Sequence, residues 1–219
     1  MTSELKPIGI LGGTFDPVHN GHLTLATEVA EQLNLAEVCF IPVGRPPHRP
    51  APFASSTARV DMLQLAISGN PRFSVDQREI PRAGTRYTVD TLNELRKEVG
   101  ASRPLCLLLG TDAFAGLATW RRWEELFNLA HVAVAQRPEF SLKNLPPVLA
   151  AEFTKRHAPS ASAALHGPSG SIMVLEITPV DVSSSMIRNL LARGAAVRDL
   201  LPPRVLDYIR INHVYTGGG

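Results

Sequence analysis

Short, almost wholly apolar runs alternate along this chain with stretches of helical periodicity, and that alternation narrows the available folds more than any other feature. The apolar runs cover residues 8–11, 38–43, 73–75, 105–109, 132–135 and 172–177. Between them Leu23, Ala26, Ala30 and Leu33 make one helical stripe, and Val60, Leu63, Ala66 and Ile67 a second. Val89, Leu92, Leu95 and Val99 make a third, with Thr88 as its expected cap. A strand without a polar face has to be covered on both sides. The pattern therefore predicts an α/β fold, a doubly wound Rossmann-like parallel sheet with helices on both faces. Such sheets hold ligands beyond the carboxyl ends of their strands, where the strand order reverses.

A chain of 219 residues can bury a full core, and one domain over 1–219 is expected, with a C-terminal helical part from about 183 to 213. Hydrophobic residues at 44% and charged residues at 19% suit a globular protein. The net charge of +2, without a dense Lys/Arg block, argues against a nucleic-acid partner. No apolar stretch approaches the roughly 20 residues that span a bilayer, so no membrane partner is expected. Residues 1–6 lead straight into the first apolar run without a signal peptide, and a cytoplasmic location is the expectation. Cys39 and Cys106 sit inside apolar runs and read as core residues rather than a disulfide or metal pair. Oligomeric state stays open, a homo-oligomer included. The proline-rich, basic segment 44–56 reads as a loop. The segment 138–171 reads as variable surface with a helix around 148–156.

Where the first strand meets the first helix stands Gly12-Gly13-Thr14-Phe15-Asp16-Pro17-Val18-His19-Asn20-Gly21-His22. Histidines three apart can face the same way on a helix. A helix start offers N–H groups and the positive end of the dipole, which suit an anion. Glycines let the backbone close on that anion. The bland alternative is a structural turn with surface histidines, and the surrounding G-G-T-F-D-P favours the phosphate site. Zinc is the other rival, but such sites usually carry the pair mid-helix with a third ligand, and none is evident here. No metal ligand set is expected.

Ser183-Ser184-Ser185-Met186-Ile187-Arg188 opens a helix whose apolar face includes Ile187, Leu190 and Leu191. One serine is expected to be the N-cap, which leaves hydroxyls and a guanidinium that can form a second phosphate site. Gly110-Thr111-Asp112 closes an apolar strand, and Asp112 could accept from ribose hydroxyls. Trp120 could stack on a heteroaromatic ring beside Arg121, whereas Trp123 reads as a packing residue. Thr85-Arg86-Tyr87-Thr88 could be caps, or could line the same pocket.

These motifs, in this order, resemble the nucleotidyltransferase superfamily, with its H-x-G-H after G-G-T/S-F-D-P and its S-S-T/S-x-x-R downstream. Within it the chain is similar to the bacterial nicotinate mononucleotide adenylyltransferases. That finer likeness rests on Pro46-Pro47-His48-Arg49, on residues 86–92, on Gly110-Thr111-Asp112 with Trp120, and on Gln136-Arg137-Pro138. It covers nearly the whole chain and thins over 139–171; Ser185 stands where the family often has threonine. The resemblance implies transfer of AMP from ATP to nicotinate mononucleotide, with Mg²⁺ carried on the ATP. It implies catalytic roles for His19, His22 and Arg188. ATP would be held by these three with Gly12, Gly13, Thr14, Phe15, Gly110, Asp112, Ser184 and Ser185. The mononucleotide would be held by Arg49, Thr85, Arg86, Tyr87, Trp120, Arg121 and Arg137. The alternatives are transfer to phosphopantetheine or nicotinamide mononucleotide, or a non-catalytic nucleotide binder. A dehydrogenase does not fit, because Gly12-Gly13 does not continue as G-x-G-x-x-G.

Overall fold

A computed structural model describes residues 5–44, 51–80, 84, 86–136 and 145–215. In chain order it contains β1 (Ile8–Gly13), α1 (Asn20–Gln32), β2 (Glu37–Pro42), α2 (Ser56–Ile67), β3 (Phe73–Val75) and α3 (Thr88–Val99). Then follow β4 (Leu105–Gly110), α4 (Thr111–Ala115), two 3₁₀ turns (Leu117–Thr119 and Trp123–Glu125), α5 (Leu126–Leu129) and β5 (His131–Gln136). The last elements are α6 (Pro147–Arg156), α7 (Ala161–Ala164), β6 (Ile172–Glu176), α8 (Ser184–Ala192) and α9 (Pro203–Ile211).

The strands make one six-stranded sheet in the order β3-β2-β1-β4-β5-β6. Ile8 of β1 stands opposite Leu105 of β4, Leu107 of β4 opposite Val132 of β5, and Val134 of β5 opposite Val174 of β6, all in parallel. Every apolar run in the sequence is a strand, as the double-sided burial of a parallel sheet demands. The order reverses at β1 and β4. The carboxyl end of β1 runs into the glycine-histidine turn, and that of β4 into Gly110-Thr111-Asp112, the positions where a doubly wound sheet takes ligands.

The chain divides into two compact units, each assembled from separated segments. The first comprises Met1–Leu11, Leu25–Cys39 and Tyr87–Thr178; the second comprises Gly12–Thr24, Phe40–Arg86 and Pro179–Gly219. In the first, β4 and β5 bury Leu105, Leu107, Leu108, Val132 and Val134, and α3, packed against α5, buries Val89, Leu92 and Leu95. Arg96, near the end of α3, donates to the carbonyls of Gly100, Arg103, Leu129 and Pro168, a staple across four chain segments. In the second, α2 buries Met62 and Leu63 while α9 buries Val205, Leu206 and Ile209. Tyr208 of α9 donates to Asp61 of α2 at 2.9 Å, and Arg204 to Ser68 at 2.8 Å.

Two expectations change. Thr88 is not the cap of α3: the extended Tyr87 holds that position without a side-chain bond, and Thr88 is already helical. The stretch 145–171 is not mere surface either. Phe153 of α6 meets the Phe114 ring edge-on at 6.1 Å, and Arg156 lies 4.6 Å over the Phe127 ring. The expected helix is there, and it packs.

Candidate active site

The turn after β1 is built around a phenylalanine. Phe15 adopts φ 51°, a left-handed conformation uncommon outside glycine, and its ring is buried beneath the turn. A Cβ on Gly13 would stand 2.9 Å from Phe15 Cζ, so glycine there makes room for the ring. Gly12 has open space where its Cβ would be, which leaves the backbone approachable at that point. Arg59 of α2, 1% exposed, donates to the Thr14 carbonyl at 2.7 Å and to that of Gly44 at 3.4 Å, holding the turn from below. Burial lowers the Arg59 pKa, a shift opposed by the nearby Asp16.

The histidines come together as the spacing predicts. The rings of His19 and His22 stack with centroids 3.8 Å apart, and Phe15 meets His22 edge-on at 5.0 Å. The His19 backbone N–H donates to His22 Nδ1 at 3.3 Å. That acceptor role puts the proton of a neutral His22 on Nε2. Gly21 keeps the arrangement open: a Cβ there would be 3.2 Å from His19 Nδ1 and 2.9 Å from Val182. The start of α1 is less available to an anion than its sequence suggests. Asn20 N–H is donated to the Leu200 carbonyl at 3.0 Å, and the Asn20 side chain to that of Asp199 at 2.9 Å.

The serine-arginine motif is fastened to the same turn. Ser183 is the N-cap of α8, accepting from Met186 N–H at 3.1 Å, so the other two hydroxyls serve elsewhere. Ser184 donates to the Pro17 carbonyl at 2.9 Å. Arg188 Nη1 donates to the Asp16 carbonyl at 2.6 Å, and Nη2 donates to Ser185 Oγ at 3.1 Å. Its guanidinium lies 4.4 Å over the ring of Phe53, which is largely exposed. Hydroxyls, a guanidinium, two imidazoles and an open glycine thus converge in the second unit, a donor set that matches a polyphosphate.

In the first unit, Gly110 caps the short α4 at the end of β4, and Thr111 donates to the Ala135 carbonyl at 3.3 Å. Asp112 is exposed. Arg121 lies 5.1 Å over the Tyr87 ring, which brings together two of the residues expected at the mononucleotide. Its neighbour Arg122 is used structurally, bonded to Glu125 at 2.8 and 2.7 Å and to Asp90 at 3.2 Å. Trp120 is half-buried, and Trp123 packs edge-on to Phe127 at 6.1 Å, the packing role expected of it. Arg86 is half-buried in the second unit. Arg49, Thr85 and Arg137 lie outside the described residues. Among the described residues, no group of three or more His, Cys, Asp or Glu could hold a metal ion, and no helix is long and apolar enough to cross a membrane.

Three residues of the second unit were missed by sequence reasoning. Arg59 is hidden within a helical stripe, Phe53 within a loop, and Tyr215 beyond the last helix. Asp16 belongs to the motif, but its role was not apparent: it is 3% exposed and collects hydrogen bonds from widely separated segments. The Asp16–Pro17 bond is cis.

A family model described as cytidylyltransferase-like matches residues 10–190. The chain is 47% identical over 212 residues to a Dechloromonas aromatica (strain RCB) protein named "Probable nicotinate-nucleotide adenylyltransferase", covering 96% of this chain and 98% of that one. A Pseudomonas aeruginosa (PAO1) protein of the same name is 44% identical over 210 residues, covering 96% and 97%. Among solved structures, the chain resembles "Plasmodium falciparum nicotinic acid mononucleotide adenylyltransferase complexed with NaAD", with TM-score 0.72, 17% identity and coverage of 96% and 97%. At that identity the likeness is one of fold.

Proposed function

The chain belongs to the nicotinate-nucleotide adenylyltransferase family, and on that premise we propose how its residues carry the family's reaction. AMP passes from ATP to nicotinate mononucleotide, giving nicotinate adenine dinucleotide and pyrophosphate. One observation carries the assignment: α8 is bonded to the opening turn twice, by Ser184 at Pro17 and by Arg188 at Asp16, beside the stacked His19 and His22.

In the transfer, a 5′-phosphate oxygen of the mononucleotide forms a bond to the α-phosphorus of ATP. The bond to the bridging oxygen breaks, and pyrophosphate leaves with its electron pair. The second ionisation of a phosphate monoester lies near pH ~6, so the nucleophile needs no base. What remains for the protein is positioning and charge stabilisation. His22, with Nε2–H as donor, and His19 stabilise charge on the α-phosphoryl oxygens. Arg188, Ser184 and Ser185 take the β- and γ-phosphates and then the leaving pyrophosphate. The open backbone at Gly12, with Gly13, Thr14 and Phe15, lies along the triphosphate. Mg²⁺ enters on the triphosphate as part of the substrate, coordinated by phosphate oxygens and water.

For the second substrate, Trp120 stacks on the pyridine ring, and Arg121 with Tyr87 recognises its carboxylate. Arg49, Thr85, Arg86 and Arg137 are proposed as further contacts from sequence alone. On the ATP side, Gly110 and Asp112 are proposed from sequence as contacts, Asp112 accepting from a ribose hydroxyl. The buried thiols of Cys39 and Cys106 fit a reducing compartment, and we place the reaction in the cytoplasm.

Pyrophosphate release is the direct test. With MgATP and, in turn, nicotinate mononucleotide, nicotinamide mononucleotide and phosphopantetheine, turnover should be fastest with the first. Preference for phosphopantetheine would move the chain to another acceptor class, and release with none of them would remove the catalytic reading.

A further inference from the structure

Arg188 is held by a residue that is itself held from the far end of the chain. The Asp16 carboxylate takes the Phe53 N–H on Oδ2 at 2.7 Å, and on Oδ1 the Ala54 N–H at 3.0 Å and the Tyr215 hydroxyl at 2.6 Å. Arg188 Nη1 stands 3.8 Å from Oδ2 while donating to the carbonyl of the same residue. All these groups belong to the second unit. We propose that Tyr215 is a positioning residue for adenylyl transfer, fixing Asp16 so that Asp16 in turn aims Arg188 at the phosphates; this rests on the assignment of Arg188 above.

Two features of the chain end support it. The backbone beyond α9 turns back, with Val214 N–H donated to the Ile209 carbonyl at 3.0 Å, and it places His213 at φ 52° and Tyr215 at φ 62°. Left-handed conformations at two non-glycine residues persist only where surrounding contacts over-determine them. The hydroxyl also sits where it has to donate. Burial and the bond to Asp16 push its pKa far above the ordinary phenol range, so it carries its proton at any working pH. Without it, Oδ1 keeps, among the described residues, the Ala54 N–H alone, in a pocket almost closed to water. The carboxylate is then free to turn toward either cation beside it, Arg188 or Arg59.

Tyr215→Phe removes the hydroxyl and keeps the ring. The variant should lose about tenfold in kcat/KM for ATP, with KM for nicotinate mononucleotide changed by less than about twofold, as expected when one hydrogen bond to a charged positioning group is lost. In an Arg188→Ala background, the same change should cost less than about twofold, because its route of action is already gone. An equal loss in both backgrounds, a loss confined to KM for the mononucleotide, or no loss would overturn the proposal. A variant unfolded at the assay temperature, judged by circular dichroism, would also overturn it by making the hydroxyl a stability contact. Wild-type protein that forms no dinucleotide would instead fail the functional reading, so the two failures are distinct.

Discussion

With Nδ1 of His22 occupied by the His19 N–H, the opposite ring nitrogen is the donor in the neutral side chain. A donor fixed by its own backbone reorganises little as charge builds on a phosphoryl oxygen, which is the condition under which such groups contribute most to rate. Phe15 against one edge and the His19 ring against one face restrict rotation further. His22→Ala should therefore lower kcat/KM by a factor of about 10² to 10³, chiefly in kcat, while the melting temperature changes little. Steady-state kinetics check this directly, and a loss of only a few-fold would assign transition-state charge to other groups. The pairing of the histidines was legible from their spacing. The proton's place on Nε2 was not, because it depends on a backbone N–H one turn back.

At the element scale, the three serines divide by geometry. Among the described residues, the Ser183 hydroxyl bonds only to the Met186 N–H that it caps, whereas Ser184 and Ser185 reach Pro17 and Arg188. Loss of an N-cap costs about 1 kcal/mol, which for a chain of this size lowers the melting temperature by roughly 2–4 °C. Ser183→Ala should show that drop with kcat within about twofold of wild type, because the helix is also held by the buried Ile187 and by two side chains bonded to the turn. Thermal unfolding measured alongside kinetics separates the roles. A large loss of kcat would mean that Ser183 also meets substrate. The elements themselves were legible because a parallel sheet needs strands apolar on both faces. Each predicted strand ends within two residues of the observed one. The cap of α3 was not legible. Thr88 looks like a cap by type, but the extended backbone of Tyr87 comes first. Packing of α6 was likewise hidden, since its contacts to Phe114 and Phe127 depend on tertiary placement.

At the scale of the whole molecule, what the sequence concealed are contacts between distant segments. Asp16 to Tyr215 spans 199 positions, and neither compact unit is continuous in sequence. Local periodicity carries no signal for such pairs. His131 in the first unit is of this kind and has a consequence for stability. It is fully buried at the start of β5, with Nε2 at 2.8 Å from the Gly167 carbonyl and Nδ1 accepting from Ser171 N–H at 3.2 Å. A neutral ring protonated on Nε2 satisfies both partners, while a second proton on Nδ1 would face the Ser171 N–H. Burial lowers the His131 pKa below its ordinary 6.5, and the Arg96 charge pushes the same way, against the Gly167 bond. The unfolded chain therefore binds a proton below about pH 6.5 that the folded chain refuses, so the contribution is complete above that pH and is lost as pH falls toward the folded value. Urea unfolding at pH 7.5 and 5.5 should show a larger loss of stability on acidification for wild type than for His131→Gln, although the variant is less stable at pH 7.5. Equal losses in the two proteins would mean that His131 takes up its proton without leaving the fold.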